Sequence, residues 1–160
     1  LELKKQKFDI VRLVQELLED LQADIAEKSF DISFSCEQKQ IEFLGDLDKL
    51  RRVLINLIRN AIKYTPENGI INLKLKSEPA EVIFEISNTG PGIPEDFYEK
   101  IFDKFERIKA EKQEGSGLGL PIAKGIVVLH GGTIQVKSLL GEITTFTVTL
   151  PKNTPIKPLI

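Results

Sequence analysis

The periodicity of apolar residues changes along this chain, and that change constrains its fold most. Over 46–64 the apolar residues recur every three or four positions, at Leu50, Val53, Leu54, Leu57 and Ala61, which predicts an amphipathic helix. Residues 70–76 and 81–87 instead alternate apolar with polar side chains, and the short turn between them predicts a β-hairpin. A chain with both patterns must pack helices against a sheet.

The same patterns assign the remaining segments. They predict further helices over 10–28 and 117–130, a short helix over 94–102, and strands over 32–36, 42–44, 133–138 and 144–150. Asp9 is the expected N-cap of the first helix. The expected fold class is α/β (α+β): a two-layer sandwich whose mixed, mostly antiparallel sheet is covered on one face by the helices 10–28, 46–64 and 117–130.

Composition excludes several functional classes. The net charge of the 160 residues is −2 and the lysines are scattered, so no nucleic-acid-binding surface is expected. No apolar run approaches the ~20 residues that cross a bilayer. The single cysteine, Cys36, rules out an internal disulfide and suits a buried strand position in a cytoplasmic domain. The chain contains no Met and starts at Leu1, so we expect it to be a piece of a longer protein.

Polar residues on the 46–64 helix form the first part of a candidate site. Asn56, Asn60, Lys63 and Tyr64 share the side opposite the apolar stripe. A solvated surface would also explain them, but two asparagines one turn apart are poor helix formers. An Asn carbonyl oxygen suits Mg²⁺, a lysine can neutralise phosphate, and a tyrosine ring can lie along a base or ribose.

Two glycine-containing segments complete the candidate site. Gly115, Gly117 and Gly119 precede the apolar helical run 120–129, where glycine lets the backbone approach a phosphate at a helix N-terminus. Asn88 ends a strand and is followed by Gly90 and Gly92, an arrangement that suits recognition of a planar base edge. Taken alone, this second segment would also serve as an ordinary strand-to-helix turn.

With these motifs in this order, the chain resembles the catalytic, ATP-binding domain of bacterial sensor histidine kinases. The wider group includes gyrase, mismatch-repair ATPases and the large heat-shock chaperone, which share the Bergerat ATP-binding fold. The resemblance rests on Asn56-Leu57-x-x-Asn60-Ala61-x-Lys63-Tyr64-Thr65, Asn88 to Ile93, Ile101-Phe102-x-x-Phe105-x-Arg107, Gly115 to Leu120, and His130-Gly131-Gly132 with Gly141. It spans 8–151.

The resemblance implies ATP and Mg²⁺ as cofactors and a role for each matching position. Asn60 would coordinate Mg²⁺, with Asn56 one turn earlier on the same wall. Lys63 and Arg107 would contact phosphate, and Tyr64 would flank the adenosine. Asn88 would meet the adenine amino group. Gly90, Gly92 and Ile93 would shape the adenine pocket. The ATP lid would span 103–114 and hinge near Phe102 and Phe105. The backbone of the glycine loop would cradle the phosphates; this loop consists of Gly115, Ser116, Gly117, Leu118, Gly119 and Leu120.

The implied function is transfer of the ATP γ-phosphoryl group to a His on a separate dimerisation domain, and from there to an Asp of a response regulator. Residues 1–7 would be the remnant of the preceding hairpin, 8–151 the catalytic domain, and 152–160 a tail or linker. Catalysis by this piece would be limited to positioning by Asn60 and Lys63. We expect the piece to be monomeric and cytoplasmic, in a homodimeric parent protein whose membrane attachment the sequence leaves open.

Three positions qualify this interpretation. Asn88 stands where the family usually has Asp, so we expect weaker ATP binding with the adenine preference retained. Asn56 stands where the related ATPases have a water-activating Glu, so hydrolysis should be slow. His130, at a helix end, is expected to be a cap rather than a phospho-acceptor. The alternatives are a serine protein kinase of the anti-sigma type and a degenerate docking domain without nucleotide.

Overall fold

The computed structural model of the chain describes residues 2–103 and 119–152. Its elements follow in the order β1 (Gln6–Asp9), α1 (Ile10–Asp20), α2 (Gln22–Glu27), β2 (Asp31–Cys36), β3 (Glu42–Gly45), α3 (Leu47–Tyr64), β4 (Ile70–Ser77), β5 (Glu81–Thr89), two 3₁₀ turns (Glu95–Phe97 and Lys100–Phe102), α4 (Gly119–Leu129), β6 (Thr133–Leu139) and β7 (Ile143–Pro151). The predicted lid, apart from Asp103, and the predicted tail, apart from Lys152, lie outside the described residues.

Five strands form the main sheet, in the spatial order β2-β4-β5-β7-β6. Strand β2 runs parallel to β4, and the other neighbouring pairs are antiparallel. Alternate residues of β4, β5 and β7 are buried, and they share one hydrophobic core with the apolar stripes of α1, α3 and α4. The predicted two-layer sandwich with a mixed, mostly antiparallel sheet is therefore confirmed.

The first predicted helix differs from the structure in its interior and in what precedes it. Asp9 caps α1, as predicted, by accepting a hydrogen bond from the Val11 backbone N–H. The helix is interrupted at Leu21, and α2 continues without a buried residue of its own. Ahead of α1, β1 pairs with β3 in a separate two-stranded sheet, in which Phe8 packs edge-on against Phe43. The sequence did not predict this small sheet because the pairing joins segments more than 30 residues apart.

The short helix predicted over 94–102 is instead a pair of 3₁₀ turns. Their hydrogen bonds join residues three apart, as from the Phe97 N–H to the Pro94 carbonyl and from the Phe102 N–H to the Glu99 carbonyl. Between the turns, the Tyr98 hydroxyl bonds to the backbone of Ser138 on the sheet edge. This contact holds the segment against β6. Within the described ranges, no helix has both the length and the apolar composition needed to span a membrane.

Candidate functional site

Helix α3 sets the position of the site because its start and its apolar stripe are both fixed. The Asp46 carboxylate accepts a hydrogen bond from the Lys49 N–H at 3.1 Å, which caps the helix. Backbone hydrogen bonds, that of Lys4 foremost, hold the Asp46 pKa below its ordinary value. The predicted stripe is buried, together with Ile58. With that stripe on the core, Asn60 and Tyr64 lie on the side of α3 that adjoins the cavity described next.

A cavity of about 320 Å³ lies between α3 and the inner face of the sheet, where β5 leads into the turn 90–92, called the glycine turn below. It is lined by Asn60, Tyr64, Asn88, Pro91, Gly92, Ile93, Ile101, Leu120, Thr144 and Phe146. Most of these residues are predicted from sequence as site residues, but Pro91, Ile101, Thr144 and Phe146 are not. Their side chains reach the cavity through tertiary packing and strand register, and the local sequence pattern shows neither.

Asn88 is the buried polar group at the inner wall of this cavity, with 6% of its surface exposed. Its side-chain Nδ2 donates a hydrogen bond to the Thr89 carbonyl at 3.1 Å. Turning the amide over would bring Oδ1 against that carbonyl oxygen, so the bond fixes the amide orientation. Oδ1 has no hydrogen-bond donor among the described residues. The cavity therefore presents one oriented, buried acceptor.

Thr144 stands beside Asn88 in the same wall. The two residues are directly opposite each other in the register of β5 and β7, and Thr144 is 5% exposed. The Thr144 hydroxyl lies 2.7 Å from the hydroxyl of Ser138, its opposite residue on β6. A second polar group is thus held next to the Asn88 acceptor.

Asn60 supplies an amide at the helix side of the cavity. It is half-buried, and its side chain makes no hydrogen bond within the part of the chain that the structure describes. An amide oxygen without a protein partner, beside a cavity, fits a hard cation such as Mg²⁺. The described residues contain no cluster of three or more His, Cys, Asp or Glu side chains that could hold a metal ion. A cation at Asn60 would accordingly need ligands from a bound molecule and from water.

Asn56 and Lys63 lie on the same helix but do not line the cavity. Asn56 Nδ2 donates a hydrogen bond to the Gly119 carbonyl at 3.1 Å, which ties α3 to the first described turn of α4. Lys63 Nζ lies 5.1 Å from the centre of the Tyr64 ring. The carbonyls of Ile62 and Lys63 accept hydrogen bonds from Lys28 Nζ, so a cation stabilises the C-terminal turn that carries Lys63 and Tyr64.

The glycine turn at the cavity mouth needs glycine for steric reasons. Gly92 has φ = +86°, and a Cβ placed on it would lie 2.7 Å from the Ser138 hydroxyl oxygen. Gly90 does not line the cavity, and a Cβ there would meet the Tyr64 carbonyl oxygen at 2.9 Å. A side chain at either position would push the turn away from the wall. The predicted site residues Phe105, Arg107, Gly115, Ser116, Gly117 and Leu118 lie outside the described residues.

His130 is a structural residue, as predicted, although its contacts extend further than a helix cap. Its Nδ1 lies 2.9 Å from the Ile126 carbonyl, and its Nε2 accepts a hydrogen bond from the Asp46 N–H at 3.1 Å. The two bonds select the neutral ring protonated at Nδ1. Burial lowers the His130 pKa below its ordinary value. The ring joins the end of α4 to the start of α3 and is 5% exposed, which does not suit a phospho-acceptor.

The comparisons with known proteins show which family and relatives the chain is similar to. Residues 45–154 match the family model described as histidine kinase-, DNA gyrase B- and HSP90-like ATPase. The circadian input-output histidine kinase CikA of Synechococcus elongatus is 37% identical over 98% of this chain, and the heme sensor protein HssS of Staphylococcus aureus is 37% identical over 92%. The chain spans only 21% of CikA and 32% of HssS.

Solved structures show the same fold. The catalytic domain of the histidine kinase ThkA, in a nucleotide-free form, superposes with a TM-score of 0.85 at 31% identity and covers 93% of this chain and 98% of its own. Full-length ShkA in complex with AMPPNP gives a TM-score of 0.85 at 30% identity, over 99% of this chain and 33% of ShkA. ThkA in complex with the response regulator protein TrrA gives 0.81 at 29% identity, over 94% and 42%.

Proposed function

The chain belongs to the histidine kinase-, DNA gyrase B- and HSP90-like ATPase family, and from that premise we propose what its cavity binds and what the bound molecule is for. The chain binds Mg·ATP in the cavity between α3 and the sheet. It presents the γ-phosphoryl group to a histidine on a separate dimerisation domain of the parent protein. The observation that carries this proposal is the buried acceptor of Asn88, held at one end of a cavity whose other polar wall is Asn60.

Asn88 supports adenine as the base. The adenine amino group donates hydrogen bonds, whereas the corresponding position of guanine is a carbonyl acceptor. Asn88 Oδ1 can accept from the first and would repel the second. Turning Asn88 over to suit guanine would cost its hydrogen bond to the Thr89 carbonyl. The apolar walls contributed by Ile93, Leu120 and Phe146 suit the faces and edges of a purine ring.

Asn60 supports a metal-bound triphosphate next to the base. Its amide oxygen would be the protein ligand of Mg²⁺, which when bound neutralises charge on the phosphates. Lys63, one turn further along α3, would contact phosphate as a point charge, and Tyr64 at the rim would flank the adenosine. Arg107 and the backbone around Ser116 to Leu120 would also contact the phosphates.

Transfer to a protein acceptor is favoured over hydrolysis because the side chain at position 56 is an amide, which cannot act as a general base to activate water. An amide has no useful basicity, and the Asn56 side chain is engaged with the Gly119 carbonyl. Catalysis would then rest on positioning and charge neutralisation. The acceptor histidine must lie elsewhere in the parent protein, since His130 is the only histidine here and is buried.

The remaining parts of the proposal concern the parent protein. We expect residues 1–7 to follow its phospho-acceptor hairpin, residues 8–151 to act as a monomeric catalytic domain within a homodimer, and 152–160 to be a tail or linker. The domain would work in the cytoplasm, where ATP is available. An Asp of a response regulator would receive the phosphoryl group from the hairpin, in line with the ThkA–TrrA complex.

Nucleotide competition is the first test. ATP should displace a fluorescent ATP analogue from the chain, more strongly with Mg²⁺ than without it, and Asn60→Ala should abolish the Mg²⁺ enhancement. Asn72→Ala, on the outer face of the sheet and bonded to Ser33, is the matched control and should retain it. A chain that binds no nucleotide would be the degenerate docking domain instead.

Phosphoryl transfer is the second test. With labelled ATP, the chain alone should stay unlabelled, and the parent protein containing both domains should acquire a label that is lost in acid and kept in base, as phosphohistidine is. An acid-stable label on a serine would favour the anti-sigma type of kinase. Strong labelling of the isolated chain would contradict the proposal.

A further inference from the structure

A row of three polar side chains crosses the inner face of the sheet at the cavity. Asn88 on β5 is opposite Thr144 on β7, and Thr144 is opposite Ser138 on β6. Elsewhere the inner positions of these strands are apolar, as at Ile86 and Phe146. Asn88 and Thr144 line the cavity, whereas Ser138 stands behind Thr144 and does not. Ser138 is therefore placed to act on the cavity only through its neighbours.

Ser138 is held from three directions. Its hydroxyl oxygen accepts a hydrogen bond from the Ile93 N–H at 2.9 Å and lies 2.7 Å from the Thr144 hydroxyl. Its backbone N–H donates to the Tyr98 hydroxyl at 2.7 Å, and its carbonyl accepts from the same hydroxyl at 3.0 Å. The last two bonds satisfy the outer edge of β6, beside which no further strand lies in the described part of the chain. Ser138 thus joins the glycine turn, the sheet edge and the cavity wall.

The bond between the two hydroxyls can run in either direction, and the two directions leave different hydrogens free. Each hydroxyl has one hydrogen to donate. If Thr144 donated to Ser138, the Ser138 hydrogen would have no acceptor among the described residues. If Ser138 donates to Thr144, the Thr144 hydrogen is left for the cavity. In either arrangement one hydroxyl hydrogen has no acceptor among the described residues; in the second it is that of Thr144, which lines the cavity, where a bound molecule can accept it.

We propose that Ser138 is a positioning residue for base specificity, which orders the hydroxyls so that Thr144 donates into the cavity beside the Asn88 acceptor. This inference rests on the proposed binding of ATP. An acceptor and a donor side by side match the amino group and the ring nitrogen N1 on one edge of adenine. Guanine carries a carbonyl and an N–H at those two positions. The Asn88 acceptor would face the carbonyl and the Thr144 donor would face the N–H, so both contacts disfavour guanine. Ser138 contacts no nucleotide in this account.

The test compares ATP with 1-deaza-ATP, which keeps the amino group but has C–H in place of N1. We expect wild type to bind ATP about fivefold more tightly than 1-deaza-ATP, the worth of one neutral hydrogen bond. Ser138→Ala and Thr144→Val should each lower the ATP affinity and leave that for 1-deaza-ATP nearly unchanged, so the ratio approaches one. Ser138→Thr, which keeps a hydroxyl, should restore the ratio. Thr147→Val, on the same strand and the opposite face, should not change it.

A ratio measured within one preparation does not depend on the fraction of molecules that are folded. If Ser138→Ala weakens both nucleotides equally, or leaves the ratio as in wild type, Ser138 has only a structural role and the inference is wrong, while the proposed function stands. A wild type that does not discriminate the two nucleotides has the same consequence. A wild type that binds neither overturns the proposed function together with this inference.

Discussion

The stability of the domain should fall as the pH is lowered through the titration range of His130. The ring is held neutral because Nε2 accepts a hydrogen bond from the Asp46 N–H. A proton on Nε2 would make it a donor that faces the Asp46 N–H donor, and the hydrogen bond would be lost. Burial, the largest effect, lowers the His130 pKa in the folded chain. The carboxylate of Asp46 and the Ile126 carbonyl act in the opposite direction, and Lys5 and Lys49 add to the lowering.

The sign and size of the effect follow from this lowered pKa. Below a pH of about 6.5 the unfolded chain takes up a proton at His130 that the folded chain resists, so acid favours unfolding. The contribution is fully present above that pH and is lost at up to about 1.36 kcal/mol per pH unit as the pH falls towards the folded pKa. Between pH 7.5 and 5.5 the loss can reach about 1.4 kcal/mol.

Urea unfolding at pH 7.5, 6.5 and 5.5 measures this directly. Histidine is the side chain whose ordinary pKa lies in this window, and His130 is the only one in the sequence. His130→Gln, which can accept and donate in the same way without titrating, should remove the slope. A wild-type free energy of unfolding that stays flat or rises between pH 7.5 and 5.5 would refute the reasoning. So would an unchanged slope in the Gln variant.

Three further substitutions test the site. Asn88→Leu removes the buried acceptor and should weaken ATP binding about fivefold without weakening GTP binding, by competition titration. Asn56→Asp sets a carboxylate against the Gly119 carbonyl and should lower the free energy of unfolding by about 1 kcal/mol in urea. Gly92→Ala should weaken ATP binding in the same titration because the added Cβ would meet the Ser138 hydroxyl. Gly141→Ala is the control: this glycine also has a positive φ but lies in open space, so its substitution should lower the free energy of unfolding without weakening ATP binding.

Sequence reasoning was accurate where structure is determined locally. The α3 stripe, the cap of α1 at Asp9 and the hairpin of β4 and β5 follow from residue spacing and from turn residues within a few positions. The inner-wall residue Asn88 was also found, because a polar residue at a strand end before two glycines is visible in the chain itself. Local periodicity is set by which face of an element is buried, so these features needed no knowledge of the tertiary fold.

Sequence reasoning was incomplete where the contact joins distant segments. The alternation of β7 places Thr144 on the buried face with Phe146, but only its register with Asn88, 56 positions earlier, brings it to the cavity. The His130 bond to Asp46 spans 84 positions. The pairing of β1 with β3 and the parallel pairing of β2 with β4 are likewise non-local. Such contacts are selected by the packing of the whole domain.

The central claim is that Mg·ATP occupies the cavity between α3 and the sheet. A crystal structure of the chain with Mg²⁺ and a nonhydrolysable ATP analogue tests it most directly. We expect the adenine amino group within hydrogen-bond distance of Asn88 Oδ1, the Thr144 hydroxyl at the neighbouring ring nitrogen, and the metal ion on Asn60 Oδ1. A nucleotide bound elsewhere, or the cavity filled by the chain's own side chains at saturating nucleotide, would contradict it.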